Sequence, residues 1–516
     1  MIIDSNEYAR TGSDVNCDVC IVGAGAAGIY LATRLAANGK SVALLEAGKR
    51  ICQDGATVGI EALLPETKYC GSTDGRFFGL GGSTSRWGGL LISHSDLDLR
   101  PVPDGQFDTW AHIVRLVESH QGTVATALKV DADRAHEGTS RRFLHRVHDD
   151  LDVNGVKSLA GEFLPFRRKN LSFLLNGSDL RGELKVFLNA VAGSWTREQE
   201  SDIASVEIRC DGGSFTVKAR RFVLTAGTIE CSRILLEMQR ALGDDLFAAS
   251  ESIGRNLSDH LSCAIADVPA EDNRLCIKQF APRFLRGRMR NFRFYDSKPS
   301  ADAPRSFGHF IFKSDNAGFR LAKKLFGSLQ ARRLEKISPM EFIRGAVGLS
   351  ALGFNRYVTQ RLHVQSDTLI QMQLDVEQAP DPANRISLVD ETDKFGRPKA
   401  RIDWSIRDRD LENIDRLAKR FLDLWPADRM RLPKLLRSKP DAETTKPHDA
   451  YHPVGTCRLG TDAAAVVSPE LKVRGTNNLY VLSTAVFPTA GTANPTFSML
   501  CLGHELAGHL TESLKN

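Results

Sequence analysis

The sequence predicts an α/β chain, α+β overall, in which a domain of alternating strands and helices joins a second domain built on an antiparallel sheet. Two observations carry this prediction. Near the start, an apolar strand runs into the glycine-rich turn GAGAAG at residues 23–28, then into a helix and a second strand. Further on, the segment LIQMQLDVE at residues 369–377 alternates apolar and polar residues, as a strand with one buried and one solvent-exposed face does.

The first unit reads as strand, turn, helix and strand. Residues 18–24 are an apolar run, residues 29–36 have helical periodicity, and residues 41–46 are a second apolar run. In such a turn the first glycine allows a tight bend, the second lets the backbone approach a pyrophosphate, and the third lets helix and strand pack closely. Glu46 follows Gly28 by 18 residues and is placed to bind a ribose diol. The unit therefore predicts a bound dinucleotide, either FAD or NAD.

A second glycine cluster, GLGGSTSRWGG, occupies residues 79–89. No regular helix or strand tolerates so many glycines, so this segment is predicted to be a loop whose backbone passes close to another group. Residues 221–226 read as a further strand of the first domain, followed by a helix. In the second domain, residues 385–389 are predicted to pair with the strand at 369–377 across the proline-containing turn at 380–382.

Length and composition favour two globular domains. The 516 residues exceed what one core usually holds, and 42% hydrophobic with 25% charged residues excludes disorder or coiled coil as the dominant state. The ten cysteines are scattered, and the first residues lack the basic and then apolar pattern of a secretory signal, which favours a cytoplasmic location. Cys17 and Cys20 form a C-x-x-C inside a predicted strand, where their odd spacing points them to opposite faces and disfavours a redox or metal site.

Positive charge is concentrated between residues 283 and 344, which carry 15 Lys+Arg and 5 Asp+Glu although the whole chain has a net charge of only +5. Within this region, residues 319–333 alternate apolar and basic side chains at helical spacing. Three interpretations stay open: a solvated surface helix, a peripheral contact with an anionic inner membrane face, or a contact with an anionic substrate carrier. No run of about 18 apolar residues predicts a membrane-spanning helix. The region lacks a recognised nucleic-acid-binding signature, so no nucleic-acid partner is expected.

Two motifs near the end of the chain carry candidate catalytic residues. YHPVGT contains His452, and ANPT contains Asn494. An imidazole with a reference pKa of about 6.5 is suited to take a proton from a hydroxyl group. A helix is predicted from Pro495 to Leu510, because proline suits the first helical turn and apolar residues follow at helical spacing. Asn494 is thereby predicted to be the cap of this helix.

Together these motifs resemble the glucose-methanol-choline (GMC) family of FAD-dependent oxidoreductases, over residues 18–510. The resemblance rests on the first glycine turn with Glu46, the second glycine cluster, the block IGRNLSDH at 253–260 and the two C-terminal motifs. A looser likeness to the bacterial sugar and polyol dehydrogenase branch comes from the segments NLYV, VFPT and EQAP. The family implies a Rossmann-like FAD-binding domain and a substrate domain on an antiparallel sheet, with the flavin ring at their junction.

By this resemblance, the FAD-binding domain comprises residues 1–100, 180–262 and 446–516, and the substrate-binding domain comprises residues 101–179 and 263–445. The adenine is expected near Val191 and the pair Ala226 and Gly227. The flavin is expected against the second glycine cluster and the C-terminal stretch around Asn494. The implied FAD-binding residues are Gly23, Gly25, Ala26, Ala27, Gly28, Glu46, Ala47, Gly81, Gly82, Ser83, Thr84, Val191, Ala226, Gly227, Ala485, Asn494, Pro495 and Thr496.

The implied activity is oxidation of a CH–OH group to a carbonyl, on a sugar, glycoside, aminosugar or polyol. His452 would take the hydroxyl proton, Asn494 would hold the substrate oxygen, and a hydride would pass to flavin N5. The alternative is a lyase that uses the same fold without net oxidation. Oxygen, a quinone and a protein all remain open as the electron acceptor.

Two positions depart from the family pattern. Several members attach FAD covalently through a histidine in the glycine-rich loop, but Arg86 stands at that position, so noncovalent FAD is predicted. Ser483 stands where many members have an aspartate near the flavin pyrophosphate, which removes one expected contact.

Other titratable residues carry less weight. His448 precedes the motif histidine by four residues, but no zinc motif accompanies the pair, so no metal site is expected. His504 and His509 lie in the predicted last helix and suit surface or capping roles. Glu377 and Gln378 end a strand and could either face substrate hydroxyls or have a structural role.

Overall fold

The structure is a computed structural model. It describes residues 1–64, 69–99, 107–130, 151–177, 180–199, 201–285, 288–313, 338–426, 432–438 and 446–515, together with residues 318, 320, 321 and 324.

The regular elements are numbered here in chain order. The strands are β1 (Ile2–Asp4), β2 (Val15–Val22), β3 (Val42–Leu45), β4 (Ala62–Leu63), β5 (Leu90–Leu91), β6 (Val156–Phe163), β7 (Leu184–Leu188), β8 (Val191–Gln199), β9 (Asp202–Cys210), β10 (Gly213–Leu224), β11 (His260–Asp267), β12 (Arg283–Leu285), β13 (Arg288–Asp296), β14 (Ser306–Lys313), β15 (Leu369–Glu377), β16 (Arg385–Thr392), β17 (Pro398–Asp403), β18 (Leu436–Arg437), β19 (His448–Asp449) and β20 (Leu479–Val481). The α-helices with described bounds are α1 (Ser5–Tyr8), α2 (Ala26–Ala37), α3 (Gly55–Val58), α4 (Phe107–Ala127), α5 (Gly227–Leu242), α6 (Asn273–Phe280), α7 (Pro339–Phe354), α8 (Asp408–Leu424) and α9 (Pro495–Ser513).

The first sheet has the strand order β1-β7-β3-β2-β10-β9-β8, and β20 also pairs with β10. Its centre is parallel, and β8, β9 and β10 form an antiparallel extension. The predicted strand, turn, helix and strand are β2, α2 and β3, and β10 returns beside β2. Both faces of the parallel part are covered, which is why its strands read as continuous apolar runs. The predicted Rossmann-like α/β fold class is confirmed.

The second sheet is antiparallel, with the order β18-β11-β15-β14-β13-β6-β5; β19 also pairs with β11, and β12 with β13. The alternating segment predicted as a strand is β15. Its predicted partner was wrong: β16 pairs with β17 in a separate small sheet that includes β4. The physical reason is that both edges of β15 are already occupied, one by β11 and the other by β14.

Two apolar cores flank the functional residues described below. The first core lies around the parallel sheet and the buried faces of α2 and α9. Helix α4 packs on α9 and contributes Trp110, Ile113 and Val117 to this core, although it lies in the stretch that the sequence assigned to the substrate domain. The second core lies between one face of the antiparallel sheet and α8. The other face of that sheet carries buried polar side chains, among them His260 and Asp375.

The predicted amphipathic helix of the basic region lies mostly outside the described residues, because only positions 320, 321 and 324 of the stretch 319–333 are described. The following helix, α7, is described and exposes several apolar side chains. Within the described ranges, none of the helices combines the length and hydropathy needed to cross a membrane.

Candidate functional site

The turn after β2 has the geometry of a dinucleotide cradle. Gly23 adopts a positive φ of 109°, and a Cβ there would lie 2.7 Å from the Cα of Ala226. A Cβ on Gly28 would lie 1.9 Å from the carbonyl oxygen of Gly23, so this glycine allows α2 to pack against the turn. A Cβ on Gly25 would meet no described atom within 4 Å, which leaves open space beside the start of α2. A helix N-terminus facing open space is suited to a phosphate group.

Glu46 lies at the end of β3 and is buried. Its Oε1 accepts hydrogen bonds from the backbone N–H groups of Gly48 (2.9 Å) and Gly79 (2.8 Å), and its Oε2 accepts one from Ala24 (2.9 Å). Burial raises the pKa of Glu46 to about 7 despite these three bonds. A carboxylate oxygen accepts about two hydrogen bonds, so Oε2 retains capacity for a ribose hydroxyl.

The second glycine cluster lies against the first turn. The N–H of Gly81 donates to the carbonyl oxygen of Ala24 (2.9 Å), and a Cβ on Gly82 would lie 3.1 Å from the Cα of Gly25. Ser83 and Thr84 follow in a short 3-10 turn, in which the Thr84 hydroxyl donates to the carbonyl oxygen of Gly81. The two glycine-rich segments therefore line one cleft.

The remaining predicted cofactor residues lie on elements that adjoin this cleft. Val191 begins β8, and Ala485 lies in a 3-10 turn after β20. Ala226 is the N-cap residue of α5, and Gly227 is its first residue. The hydroxyl of Thr228 in α5 donates to the carbonyl oxygen of Pro453 (2.7 Å). Helix α5 thereby connects the cofactor cleft to the segment that carries His452.

His452 and Asn494 are in contact. The Nδ2 of Asn494 lies 3.1 Å from the Nε2 of His452. Asn494 is the residue before α9, and Pro495 opens the helix as predicted. The predicted position of Asn494 as the N-cap residue of this helix is confirmed, but its side chain makes no capping hydrogen bond and its amide contacts His452 instead. Its Oδ1 is buried and has no partner among the described residues.

A second histidine, His260, fixes the protonation of the first. The Nε2 of His260 lies 2.9 Å from the carbonyl oxygen of Gly491, and its Nδ1 lies 3.0 Å from the Nδ1 of His452. A carbonyl oxygen only accepts, so Nε2 of His260 is the protonated nitrogen and Nδ1 is the acceptor. His452 must then donate from Nδ1, which leaves the lone pair on its Nε2 directed at Asn494.

The environment keeps His452 neutral. Burial, helped by His260 and by the positive charge of Arg293, lowers the pKa of His452 to about 3. Burial also lowers the pKa of His260. An unprotonated imidazole nitrogen that is enclosed and oriented in this way can accept a proton from a hydroxyl group.

Asp259 positions both histidines through the backbone. Its carboxylate accepts hydrogen bonds from the N–H groups of His260 (2.7 Å) and His452 (2.9 Å), and from the hydroxyl of Tyr69 (2.8 Å). Asp259 and His260 end the block IGRNLSDH that the sequence analysis used only for the family resemblance. An acid and a histidine at the start of a buried strand were visible in the sequence as candidate site residues. Sequence alone does not show that this strand start lies against the loop that carries His452.

The other candidates have structural roles. Glu377 accepts hydrogen bonds from the backbone N–H of Arg305 (2.7 Å) and from the hydroxyl of Thr489 (2.7 Å). Gln378 accepts a hydrogen bond from the Trp404 indole (2.8 Å). Of the two interpretations left open for this strand end, the contacts of both residues favour the structural one.

The three other candidate histidines make their contacts away from the pair. His448 contacts a neighbouring carbonyl, His504 contacts Tyr30, and His509 contacts Tyr480. Burial raises the pKa of the Cys17 thiol to about 12. Across the described ranges, no group of three or more His, Cys, Asp or Glu side chains is arranged to hold a metal ion.

Two family models match the chain. Residues 380–503, which include β16 to β20, His452 and the first half of α9, match the model described as "GMC oxidoreductase". Residues 21–63, which include α2, β3 and Glu46, match the model described as "NAD(P)-binding Rossmann-like domain".

Relatives named for an activity match over different lengths. The 6'''-hydroxyparomomycin C oxidase of Streptomyces lividus is 22% identical over 554 aligned residues, which cover 96% of this chain and 92% of that protein. The C-glycoside 3-oxidase of Microbacterium trichothecenolyticum is 32% identical over 137 residues, 26% of this chain and 25% of that protein. Among solved structures, pyridoxine 4-oxidase from Mesorbium loti has a TM-score of 0.56 at 17% identity and covers 96% of this chain and 99% of its own, a likeness of fold.

Proposed function

We propose that this chain, which matches the GMC oxidoreductase family model over residues 380–503, is a flavoprotein of that family and oxidises a CH–OH group of a sugar, glycoside, aminosugar or polyol to a carbonyl. The observation that carries the proposal is the chain of hydrogen bonds that leaves the Nε2 lone pair of His452 facing Asn494. The substrate class is supported by the names of the two relatives, an oxidase of hydroxyparomomycin C and a C-glycoside 3-oxidase.

The residues of the cleft fit FAD. The open space at Gly25, the glycine loop at Gly82 and the remaining acceptor capacity of Glu46 suit a pyrophosphate and a ribose. The other proposed contacts come from Gly23, Ala26, Ala27, Gly28, Ala47, Gly81, Ser83, Thr84, Val191, Ala226, Gly227, Ala485, Asn494, Pro495 and Thr496. When bound, FAD supplies the two-electron acceptor for the hydrogen that leaves the substrate carbon.

FAD is proposed to be bound noncovalently, because Arg86 occupies the position at which several family members carry the linking histidine. The Arg86 guanidinium lies over the ring of Phe77, 5.2 Å from its centre. We expect acid precipitation of the purified protein to leave the yellow flavin in solution. Flavin that remains in the washed precipitate would contradict noncovalent binding.

His452 is the proposed general base. The substrate hydroxyl would donate to its Nε2 in place of the Asn494 amide, and the proton would move to Nε2 as the C–H bond breaks. The Nδ1 proton, held by His260, keeps the ring oriented during this transfer.

Asn494 is proposed to hold the substrate oxygen between His452 and the cofactor. Its Nδ2 contacts the Nε2 of His452 and would donate to the substrate oxygen once the substrate hydroxyl takes its place at that nitrogen. Its Oδ1 has no described partner and is left to accept a hydrogen bond from another hydroxyl group of the substrate. Replacing Asn494 with alanine should slow anaerobic flavin reduction about 10²-fold, because one positioned polar group is typically worth that much.

The matched control for this substitution is Asn477→Ala, which changes an exposed asparagine. The flavin of Asn477→Ala should be reduced at the wild-type rate, and both variants should retain the flavin spectrum. An Asn494→Ala enzyme that is reduced as fast as wild type would remove this residue from the mechanism.

The experiment that tests the proposed function is an anaerobic stopped-flow screen of the holoenzyme against sugars, glycosides, aminosugars and polyols, with flavin absorbance as the readout. Bleaching by one class identifies an alcohol oxidation and its substrate. Product formation without bleaching would instead indicate a lyase, and turnover without net oxidation would overturn the proposal. Recovery of the colour on admission of oxygen, or only with a quinone or a redox protein, would identify the electron acceptor.

A peripheral membrane contact is proposed for the basic region and the helix that follows it. Met340, Ile343 and Val347 of α7 lie three and four residues apart, on one face of the helix, and all are exposed, Val347 by 67%. Arg344 lies between them, and the preceding region has a net positive charge. An apolar helix face bordered by basic residues is suited to the surface of an anionic bilayer.

The membrane proposal predicts flotation with anionic vesicles at low salt and not with zwitterionic ones. The double substitution Ile343→Glu and Val347→Glu should lower the vesicle-bound fraction at least about tenfold, because it places two charges at the apolar boundary. Leu411→Glu, at an exposed leucine of α8, is the control and should bind as wild type does. No flotation of the wild type with anionic vesicles at low salt would contradict the contact.

A further inference from the structure

Strand β13 carries three arginines, of which one makes no hydrogen bond to a described residue. Arg288 and Arg290 both donate to Glu162, at 2.6 and 3.0 Å. Arg293 is only 7% exposed, and its enclosed Nε and Nη1 have no acceptor among the described residues. A buried guanidinium is unfavourable without acceptors, so these N–H groups have capacity for an acceptor that the described residues do not supply.

Arg293 lies on the sheet face that carries His260. Alternate residues of β13, including Phe292 and Phe294, point into the second core, so Arg293 points to the opposite face. Its guanidinium lies over the ring of Phe307, 5.0 Å from the ring centre. The edge of His260 packs on the same ring at 5.3 Å. One aromatic ring therefore separates Arg293 from the histidine that orients the proposed base.

The nearby carboxylate does not use the donors of Arg293. Asp375 accepts a hydrogen bond from the hydroxyl of Ser262 and a longer one from the Nε2 of Gln373 (3.3 Å), and its Oδ2 lies 3.1 Å from the Nδ1 of His309. Burial and the charge of Arg293 lower the pKa of His309, which keeps that ring neutral. Asp375 balances the charge of Arg293 at a distance and leaves its N–H groups available.

From this arrangement we propose that Arg293 binds a carboxylate of the substrate, so that the alcohol that is oxidised is a hydroxy acid, such as an acidic sugar. The inference rests on the proposed oxidation and specifies its substrate. A guanidinium matches a carboxylate with two parallel N–H bonds, and such charge-assisted pairs are stronger than neutral hydrogen bonds. The polar side chains around Arg293 would bind the hydroxyl groups of the same molecule.

A carboxylate at this position would also act on the base. The positive charge of Arg293 is one cause of the lowered pKa of His452. A bound anion offsets that charge and raises the pKa of His452 towards its ordinary value, which makes the ring a stronger base. Substrate binding and base strength would then be coupled through one side chain.

The test is a titration of oxidised, FAD-loaded enzyme with acetate in a low-chloride buffer, followed by the flavin difference spectrum. Acetamide is the neutral probe of the same shape. We expect acetate to perturb the spectrum with saturation and acetamide to have no effect. Arg293→Gln should weaken acetate binding at least tenfold, and Arg293→Lys, which keeps the charge, should bind with intermediate affinity.

Arg288→Gln is the matched control, because it removes an arginine of the same strand that is already paired with Glu162, and it should bind acetate as wild type does. Equal responses to acetate and acetamide, no response to either, or unchanged acetate binding in Arg293→Gln would overturn the proposal. If Arg293→Gln does not retain FAD, Arg293→Lys takes its place in the titration. Acetate binding in Arg293→Lys with wild-type affinity and no preference over acetamide would then overturn the proposal. The titration requires no turnover, so its outcome is independent of the stopped-flow test of oxidation.

Discussion

Replacement of His452 by alanine is expected to lower the rate of anaerobic flavin reduction about 10³-fold, since a positioned general base typically contributes 10²- to 10⁴-fold. The cause is the loss of the Nε2 lone pair that His260 and Asn494 orient. Rapid mixing with the substrate found in the screen measures this rate directly. His448→Ala, four residues earlier and exposed, is the control and should be reduced within about twofold of wild type.

The same base predicts the pH dependence of the wild-type enzyme. The reaction needs His452 unprotonated, and in the free protein its pKa is lowered to about 3. FAD should be saturating in this assay, because Glu46, with a pKa of about 7, becomes protonated in the same range. Under that condition protonation of His452 should leave kcat/KM level as pH falls from 7.5 to 4.5 and lower it only towards pH 3. An ordinary histidine would begin to lose activity near pH 6.5. A decline centred at pH 6.5, or wild-type reduction by His452→Ala, would exclude His452 as the base.

Gly25→Ala is expected to give a folded protein that has lost FAD. A Cβ at this position meets no described atom, and the φ of −78° is accessible to alanine, so the fold should tolerate the change. The added methyl group would instead occupy the space into which a pyrophosphate must fit at the start of α2. We expect FAD affinity to fall at least about 100-fold, since steric overlap in a closely packed site costs about 3 kcal/mol. Flavin absorbance per protein after gel filtration measures the loss.

Two other glycines serve as comparisons for this substitution. Gly508→Ala in α9 also meets no described atom and lies away from the cleft, so it should retain FAD. Gly28→Ala would place a methyl group 1.9 Å from a backbone oxygen and should reduce the thermal stability of the apoprotein as well. A Gly25→Ala protein that binds FAD as wild type does would show that the cofactor does not use this part of the turn.

Local sequence pattern was sufficient to predict those helices and strands whose apolar residues follow one clear periodicity. The unit β2, α2 and β3 and the helix α9 were predicted because apolar runs, glycine positions and a proline at the first turn act over short distances. The partner of β15 was mispredicted, because strand pairing depends on which other strands reach its edges. Adjacent segments usually pair, but here β11 and β14 arrive from far along the chain and displace β16.

The candidate site was predictable only in part for the same reason. His452 and Asn494 were found through motifs, and the structure brings their side chains to 3.1 Å. His260 and Arg293 were not singled out, because each is an ordinary strand residue in sequence and acquires its significance from neighbours on other strands. Asn494 occupies the predicted N-cap position, but its amide contacts His452, 42 residues earlier, and local sequence pattern does not show a contact of that range.

The hydrogen-bonded series from Asn494 through His452 and His260 ends at the carbonyl oxygen of Gly491. A carbonyl oxygen cannot transfer a proton onwards, so a proton on His452 has no route to solvent through His260 and Gly491. A proton taken up at His452 would remain stored there until the substrate side of the ring is uncovered. Release of the proton to solvent would then follow departure of the ketone or aldehyde, which ties the timing of one event to the other within each catalytic cycle.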